Sequence, residues 1–278
     1  MTTNERVRVT VGADGVAEVR LNRPDKMNAL DAAMFTGIVA AGEQVARDPR
    51  VRAVVLCGEG RAFCAGLDMG RFGNMAEGKS STGNAADPID RLTARSHGIS
   101  NAAQQVAMVW REVPVPVIAA VHGVSFGGGF QLALGADIRF VTADLKMSVM
   151  EIKWGLVPDM AGIALMRELA RNDVVRELTY SGRIFSGEEA LQLGFATRVC
   201  ADPYAEAMAF AREVAGRNPD AIRADKRLLN AAMAEDAAAL LMAESVEQTK
   251  LIGSPNQVEA VKAQLEKRAP NFSDPVAG

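Results

Sequence analysis

The sequence predicts an α/β protein: a strand–helix core over residues 1–200, then a helical region over residues 201–278. Three observations carry this. Short apolar runs such as AVVLCG and VPVPVIAAV read as buried parallel strands, because a strand covered on both faces has no polar side to show. Helical patterns separate those runs. After Gly162 the periodicity becomes almost wholly helical and closes with four successive amphipathic segments.

In chain order, RVRVTVGADGVAEVRLNRP alternates apolar and polar residues about Asp14-Gly15 and predicts a β-hairpin ended by Pro24. Asp31 is placed to cap a helix running to Arg47, ahead of Asp48-Pro49. VRAVVLCG is the first buried strand. Gly66 to Asp90 is rich in Gly, Ser and Asn, which predicts a mobile loop. A helix is expected from about Ile89 to Arg111. VPVPVIAAVHG is a second strand and ADIRFVT a third, with a short helix between them opened by Gly127-Gly128-Gly129. LKMSVMEIKWGLVPDM is short, mixed and turn-rich. No internal repeat is visible.

Composition narrows the function classes. At 49% apolar and 23% charged the chain can build a core. A net charge of -3 without a long basic block argues against nucleic acid. Cys57, Cys64 and Cys200 form no metal-like cluster, and an odd count suits a reducing compartment. The start, MTTNERVRVTVG, lacks a leader pattern, so a cytoplasmic location is expected. No apolar run is long enough for a membrane span. With only His97 and His122 as histidines, no metal is expected.

Two motifs match a pattern without its context. Gly73 to Ser80 fits G-x-x-x-x-G-K-S, but that loop needs a buried strand before it and a helix after it to present N–H groups to phosphate. Gly123-Val124-Ser125-Phe126-Gly127 fits a nucleophile elbow. The order Ser, acid, His cannot follow, since no histidine lies beyond residue 122. A serine without a base is a poor nucleophile.

The backbone around Ser125 carries more. A glycine-rich turn entering a helix exposes N–H groups that lack an intrahelical partner, at the positive end of the helix dipole. Close packing of helix on strand would also want glycine there. GRAFCAGLDMG offers a second open turn, Ala65-Gly66-Leu67, after another buried strand. Two such turns would donate two N–H groups to one oxygen, as in an oxyanion hole.

The set LNRPDKMNAL, GRAFCAGLDM, AAVHGVSFGGGFQLALGADIRF and MEIKWGLVPDMAG, in that order and spacing, resembles the crotonase family, the enoyl-CoA hydratase/isomerase superfamily. The resemblance implies a spiral of ββα units, a C-terminal helical trimerisation region and hence a homotrimer or dimer of trimers, and an acyl-CoA thioester substrate. It implies oxyanion donors at the backbone N–H groups of Leu67 and Gly128. It also implies CoA contacts at Lys26, Met27, Ala29, Ala65, Asp68, Met69 and Gly70, with the loop after Gly70 covering the acyl chain. CoA would enter as part of the substrate, with no separate cofactor.

The family's hydratases use two glutamates. One of those positions is Glu151 here; the other is Gln131, a catalytic candidate that can hydrogen-bond a water or the substrate but does not exchange protons near neutral pH. One carboxylate suffices to take a proton from one carbon and return it to another, which favours double-bond isomerisation with Glu151 as acid/base. Hydration is the alternative; a non-catalytic acyl-CoA binder and a serine hydrolase are further ones. Asp159 matches an aspartate of the family's dienoyl-CoA isomerases. It reads equally as a second acid, as a charge raising the pKa of Glu151, or as a helix N-cap. Glu151 itself also reads as a turn charge. Met150, Trp154 and Met160 are candidates for the acyl pocket or for ordinary core.

Overall fold

A computed structural model describes residues 3–4, 6–77 and 92–275. β1 (Thr3–Asn4), β2 (Val7–Val11) and β3 (Val16–Leu21) pair antiparallel, and the β2–β3 turn uses Gly15 at φ +78°. This is the hairpin the alternation predicts. α1 (Ala32–Arg47) starts where Asp31 accepts the Met34 N–H at 2.9 Å. β4 (Ala53–Gly58), α2 (Met69–Ala76) and α3 (Ala102–Glu112) follow. Next come β5 (Val117–Val121), β6 (Val124–Phe126), α4 (Gly128–Gly135), β7 (Ile138–Val141) and β8 (Lys146–Ser148). After a 3-10 turn at Met150–Trp154 come α5 (Gly162–Leu169) and α6 (Asn172–Ser181). β9 (Phe185–Ser186), α7 (Gly187–Leu193) and β10 (Arg198–Val199) lead to α8 (Pro203–Ala215). α9 (Pro219–Ala231), α10 (Ala237–Leu251) and α11 (Pro255–Glu266) end the chain.

The strands form two sheets, one ordered β1-β2-β3-β4-β5-β7-β10 and a smaller one ordered β6-β8-β9. From β3 through β10 the larger sheet is parallel. The chain passes from β5 to β6 to α4, then from β7 to β8 and on toward α5. Each turn of this spiral thus visits both sheets before its helix. Bridges Leu30–Leu67 and Cys64–Ser125 bring the segments after β3 and β4 alongside β6. The sequence hides this repeat because the units share geometry rather than residues.

β4 shows why the buried strands look uniformly apolar. Val54 and Leu56 face the main core with Phe63, Trp110 and Phe130. Ala53, Val55 and Cys57 face a second core, where α8 lays Ala207, Ala211 and Ala215 on the sheet. Period-two alternation is present, but both faces are dry.

Three expectations change. α3 begins at Ala102, not near Ile89, because Asn101 and Gln104 form a reciprocal capping box; Ile89 itself lies outside the described residues. Within the expected loop of 66–90, Met69–Ala76 is helical, and residues 78–91 lie outside the described residues. The helical pattern after Gly162 is interrupted by the two-residue strands β9 and β10. No helix among the described residues is long and apolar enough to cross a membrane.

Candidate active site

Four chain segments supply most of the wall of one cavity of about 920 Å³. The first is the turn after β3. Met27 (φ 49°) and Asn28 (φ 56°) are both left-handed, a conformation that needs compensation in non-glycine residues. Asn28 supplies it: buried, it accepts the Arg23 N–H at 2.8 Å and donates to Glu59 O at 3.0 Å and Ala62 O at 2.8 Å. That latch leaves Lys26, Met27 and Ala29 on the cavity wall.

The second segment is Ala65–Gly70. Ala65 N–H donates to Met27 O at 2.9 Å, tying it to the first. The Asp68 carboxylate accepts Gly70 N–H at 2.8 Å and Arg23 Nη1 at 2.6 Å. Burial raises its pKa, but these two donors and the charge of Lys26 outweigh burial and hold it below the ordinary range. Met69 and Gly70 open α2, and all five of Ala65, Leu67, Asp68, Met69 and Gly70 line the cavity.

The third segment is Phe126–Gly128. Gly66 is at φ +86°, and a Cβ on it would lie 2.5 Å from Phe126 O and 3.6 Å from Gly128 N. Only glycine lets the two turns meet. Leu30 N–H donates to Gly66 O at 2.8 Å and Asp68 N–H to Leu30 O at 3.1 Å, whereas the intervening Leu67 N–H has no acceptor among the described residues. Gly128 is the first residue of α4, so its N–H has no intrahelical acceptor. The triplet also packs closely: a Cβ on Gly129 would sit 2.3 Å from Cys64 O.

The fourth segment, Met150–Met160, carries the acid–base groups. Glu151 lines the cavity and is 9% exposed. Its Oε1 accepts Gln131 Nε2 at 2.6 Å, and its Oε2 is buried without a partner among the described residues. Desolvation pushes its pKa up, and Asp159 adds to that; its own backbone N–H and Gln131 pull the other way. Asp159 is open to the cavity and no α5 cap: the N-cap is Ala161, with no side-chain hydrogen bond. The walls around Asp159 desolvate it and raise its pKa as well. Gln131 is fully buried and does not line the cavity; its Oε1 accepts Met160 N–H and Gly162 N–H, each at 2.8 Å.

Met150, Trp154 and Met160 also face the cavity. Sequence reasoning missed Arg23, Asn28 and Phe72. Phe72 of α2 stacks on Trp154, ring centres 4.0 Å apart, and lines the same cavity. For Arg23 the signal was an unassigned cation inside LNRPDKMNAL; for the others there was none. The two formal motif matches lose their chemistry. Ser125 is fully buried in β6, and His122 Nε2 bonds Gly60 O at 2.8 Å instead. Gly73 lies inside α2, and Gly78, Lys79 and Ser80 lie outside the described residues.

The two-sheet spiral defines a class of fold that known proteins share. The enoyl-CoA hydratase from Mycobacterium smegmatis, a solved structure, superposes with a TM-score of 0.81 at 29% identity, over 96% of this chain and 98% of that one. The mitochondrial Delta(3,5)-Delta(2,4)-dienoyl-CoA isomerase of Mus musculus is 29% identical over 268 residues, 95% of this chain and 80% of that protein. "Probable enoyl-CoA hydratase echA6" of Mycobacterium tuberculosis is 34% identical over 260 residues, 94% of this chain and 96% of that protein. The family model for enoyl-CoA hydratase/isomerase matches residues 12–275, and the chain belongs to that family.

Proposed function

We propose that this protein moves a carbon–carbon double bond within an enoyl-CoA thioester, with Glu151 as its acid–base group. The observation that carries this reading is the asymmetry at the cavity: Glu151 faces it, while the side chain at 131 is an amide turned away from it. Glu151 takes a proton from one carbon, and the electron pair delocalises onto the thioester oxygen. The N–H groups of Leu67 and Gly128 receive that oxyanion, each worth roughly 2.7–4 kcal/mol by precedent. The proton then returns from Glu151 to the other carbon, and the atoms balance as an isomerisation. Lys26, Met27, Ala29, Ala65, Asp68, Met69 and Gly70 hold the CoA portion, and the reaction needs no cofactor beyond it.

A second reading rests on Asp159, which faces the same cavity with a raised pKa. A second acid there fits a 3,5-dienoyl substrate, whose longer conjugated shift moves protons at more distant carbons. Incubation with 3-enoyl-CoA, 3,5-dienoyl-CoA and crotonyl-CoA, with products identified by mass and ultraviolet spectra, separates the readings. Conversion of either of the first two supports isomerisation; hydration of crotonyl-CoA alone would replace it with the hydratase alternative. Glu151→Gln should abolish turnover while acyl-CoA binding persists, and an active variant removes the proposed base.

The same reading takes the chain as a homotrimer or a dimer of trimers through residues 201–278. Support comes from α10, which buries no residue and exposes Leu241 and Met242, and from Leu229 and Leu265 nearby in sequence on α9 and α11. A cytoplasmic site of action is also part of it. Burial pushes the thiols of Cys57 and Cys64 up to about 12, so both stay protonated and inert.

A further inference from the structure

We propose that Gln131 is the positioning residue of this site: without meeting substrate, it fixes Glu151 and the start of α5 in one frame with Gly128, so that Glu151 Oε2 alone carries the proton. The inference rests on the role given to Glu151 above. Gln131 lies one helical turn beyond Gly128 on α4, so both belong to one rigid element. From there its amide makes three hydrogen bonds, one donated and two accepted. Nε2 donates to Glu151 Oε1 at 2.6 Å, and Oε1 accepts Met160 N–H and Gly162 N–H at 2.8 Å each. Met160 in turn packs its Sδ over Gly128, 2.7 Å from where a Cβ would sit.

An amide is the side chain that can do this. It donates and accepts at once, whereas an ionised carboxylate only accepts. Glutamate at 131 would satisfy the two backbone N–H groups but would confront Glu151 Oε1 with a second carboxylate. The pair would then have to share a proton. An apolar side chain would leave two buried N–H groups and a carboxylate oxygen unpaired. With Oε1 held, Oε2, which has no partner among the described residues, is the oxygen left for chemistry. The donated hydrogen bond also favours the ionised form, against desolvation and against Asp159, the ionisable side chain that acts on Glu151 through space.

The test titrates Glu151 by difference infrared spectroscopy, taking the carboxyl band absent from Glu151→Gln, in the wild type, Gln131→Met and Gln131→Glu. The midpoint should rise by about 1–2 pH units in Gln131→Met. In Gln131→Glu, two coupled carboxyl transitions should replace one. With 3-enoyl-CoA, kcat should fall roughly 10–100-fold in both variants with KM little changed. Unchanged carboxyl titration in the variants, or a raised KM at unchanged kcat, overturns the proposal. If Gln131→Met does not fold, the near-isosteric Gln131→Glu decides alone. The infrared readout needs no turnover. A shifted titration in an enzyme inactive on enoyl-CoA would therefore retain the positioning role and reject the isomerase reading.

Discussion

The role proposed for Glu151 comes with a stability cost. Its folded pKa is raised above the ordinary glutamate value of 4.5, chiefly by desolvation. The proposed base must be ionised to act, so kcat/KM should fall as pH drops through a midpoint above 4.5, measurable as a pH–rate profile. The sign for stability is opposite. A carboxyl whose folded pKa exceeds its unfolded one destabilises the fold above the folded pKa, and that penalty is relieved as pH falls through it. Glu151→Gln should therefore raise Tm at pH 7 by roughly 2–4 °C, for about 1 kcal/mol, with a smaller gain in acid. A lower Tm for the variant at pH 7 would mean that Glu151 contributes net stability.

At the scale of elements, helix starts decide where the walls stand. The capping box of Asn101 and Gln104 fixes the first turn of α3, just before Ala103 reaches the cavity. Asn101→Ala should cost about 1 kcal/mol, read as a lower urea midpoint at constant slope. The start of α4 depends on close approach. Methylating Gly129 would push a Cβ to 2.3 Å from the Cys64 carbonyl, which is backbone and cannot rotate away. Gly129→Ala should cost about 1–3 kcal/mol or more, and should also slow turnover because Gly128 moves with it. A variant as stable and active as the wild type would show that α4 shifts freely on the sheet.

For the molecule as a whole, the C-terminal helices leave apolar surface that one chain does not cover. Leu229 is 70% and Leu265 78% exposed, and the hollow between α9 and α10 sets Leu228, Leu229 and Leu251 among Glu244 and Glu247. Such a face marks an interaction site, and the proposed oligomer would cover it with further copies of the chain. Light scattering at micromolar concentration should give a trimer or hexamer, and Leu241→Glu should lower the mass. A monomeric wild type would sink this. Within the chain, Lys226 pins α9 to the core by donating to Trp110 O, Val115 O and Asp137. Mass in Leu241→Glu should therefore fall without loss of helix by circular dichroism.

The sequence by itself determined what local chemistry decides. The hairpin at Asp14-Gly15, the Asp31 cap, the dry strand AVVLCG and the C-terminal helices were all legible, since each needs only neighbours a few residues away. The residues of the two open turns and Glu151 were legible too, through order and spacing. Tertiary structure alone decided how they are arranged. Asp159 read equally as an acid and as a cap, but α5 starts on the side-chain carbonyl of Gln131, 29 and 31 residues from the N–H groups it accepts. Gln131 read as a residue beside the substrate and lies behind the carboxylate instead. The physical reason is that a buried hydrogen bond goes to whichever partner the fold brings within 3 Å, and folding chooses that partner across turns of the spiral that sequence distance conceals.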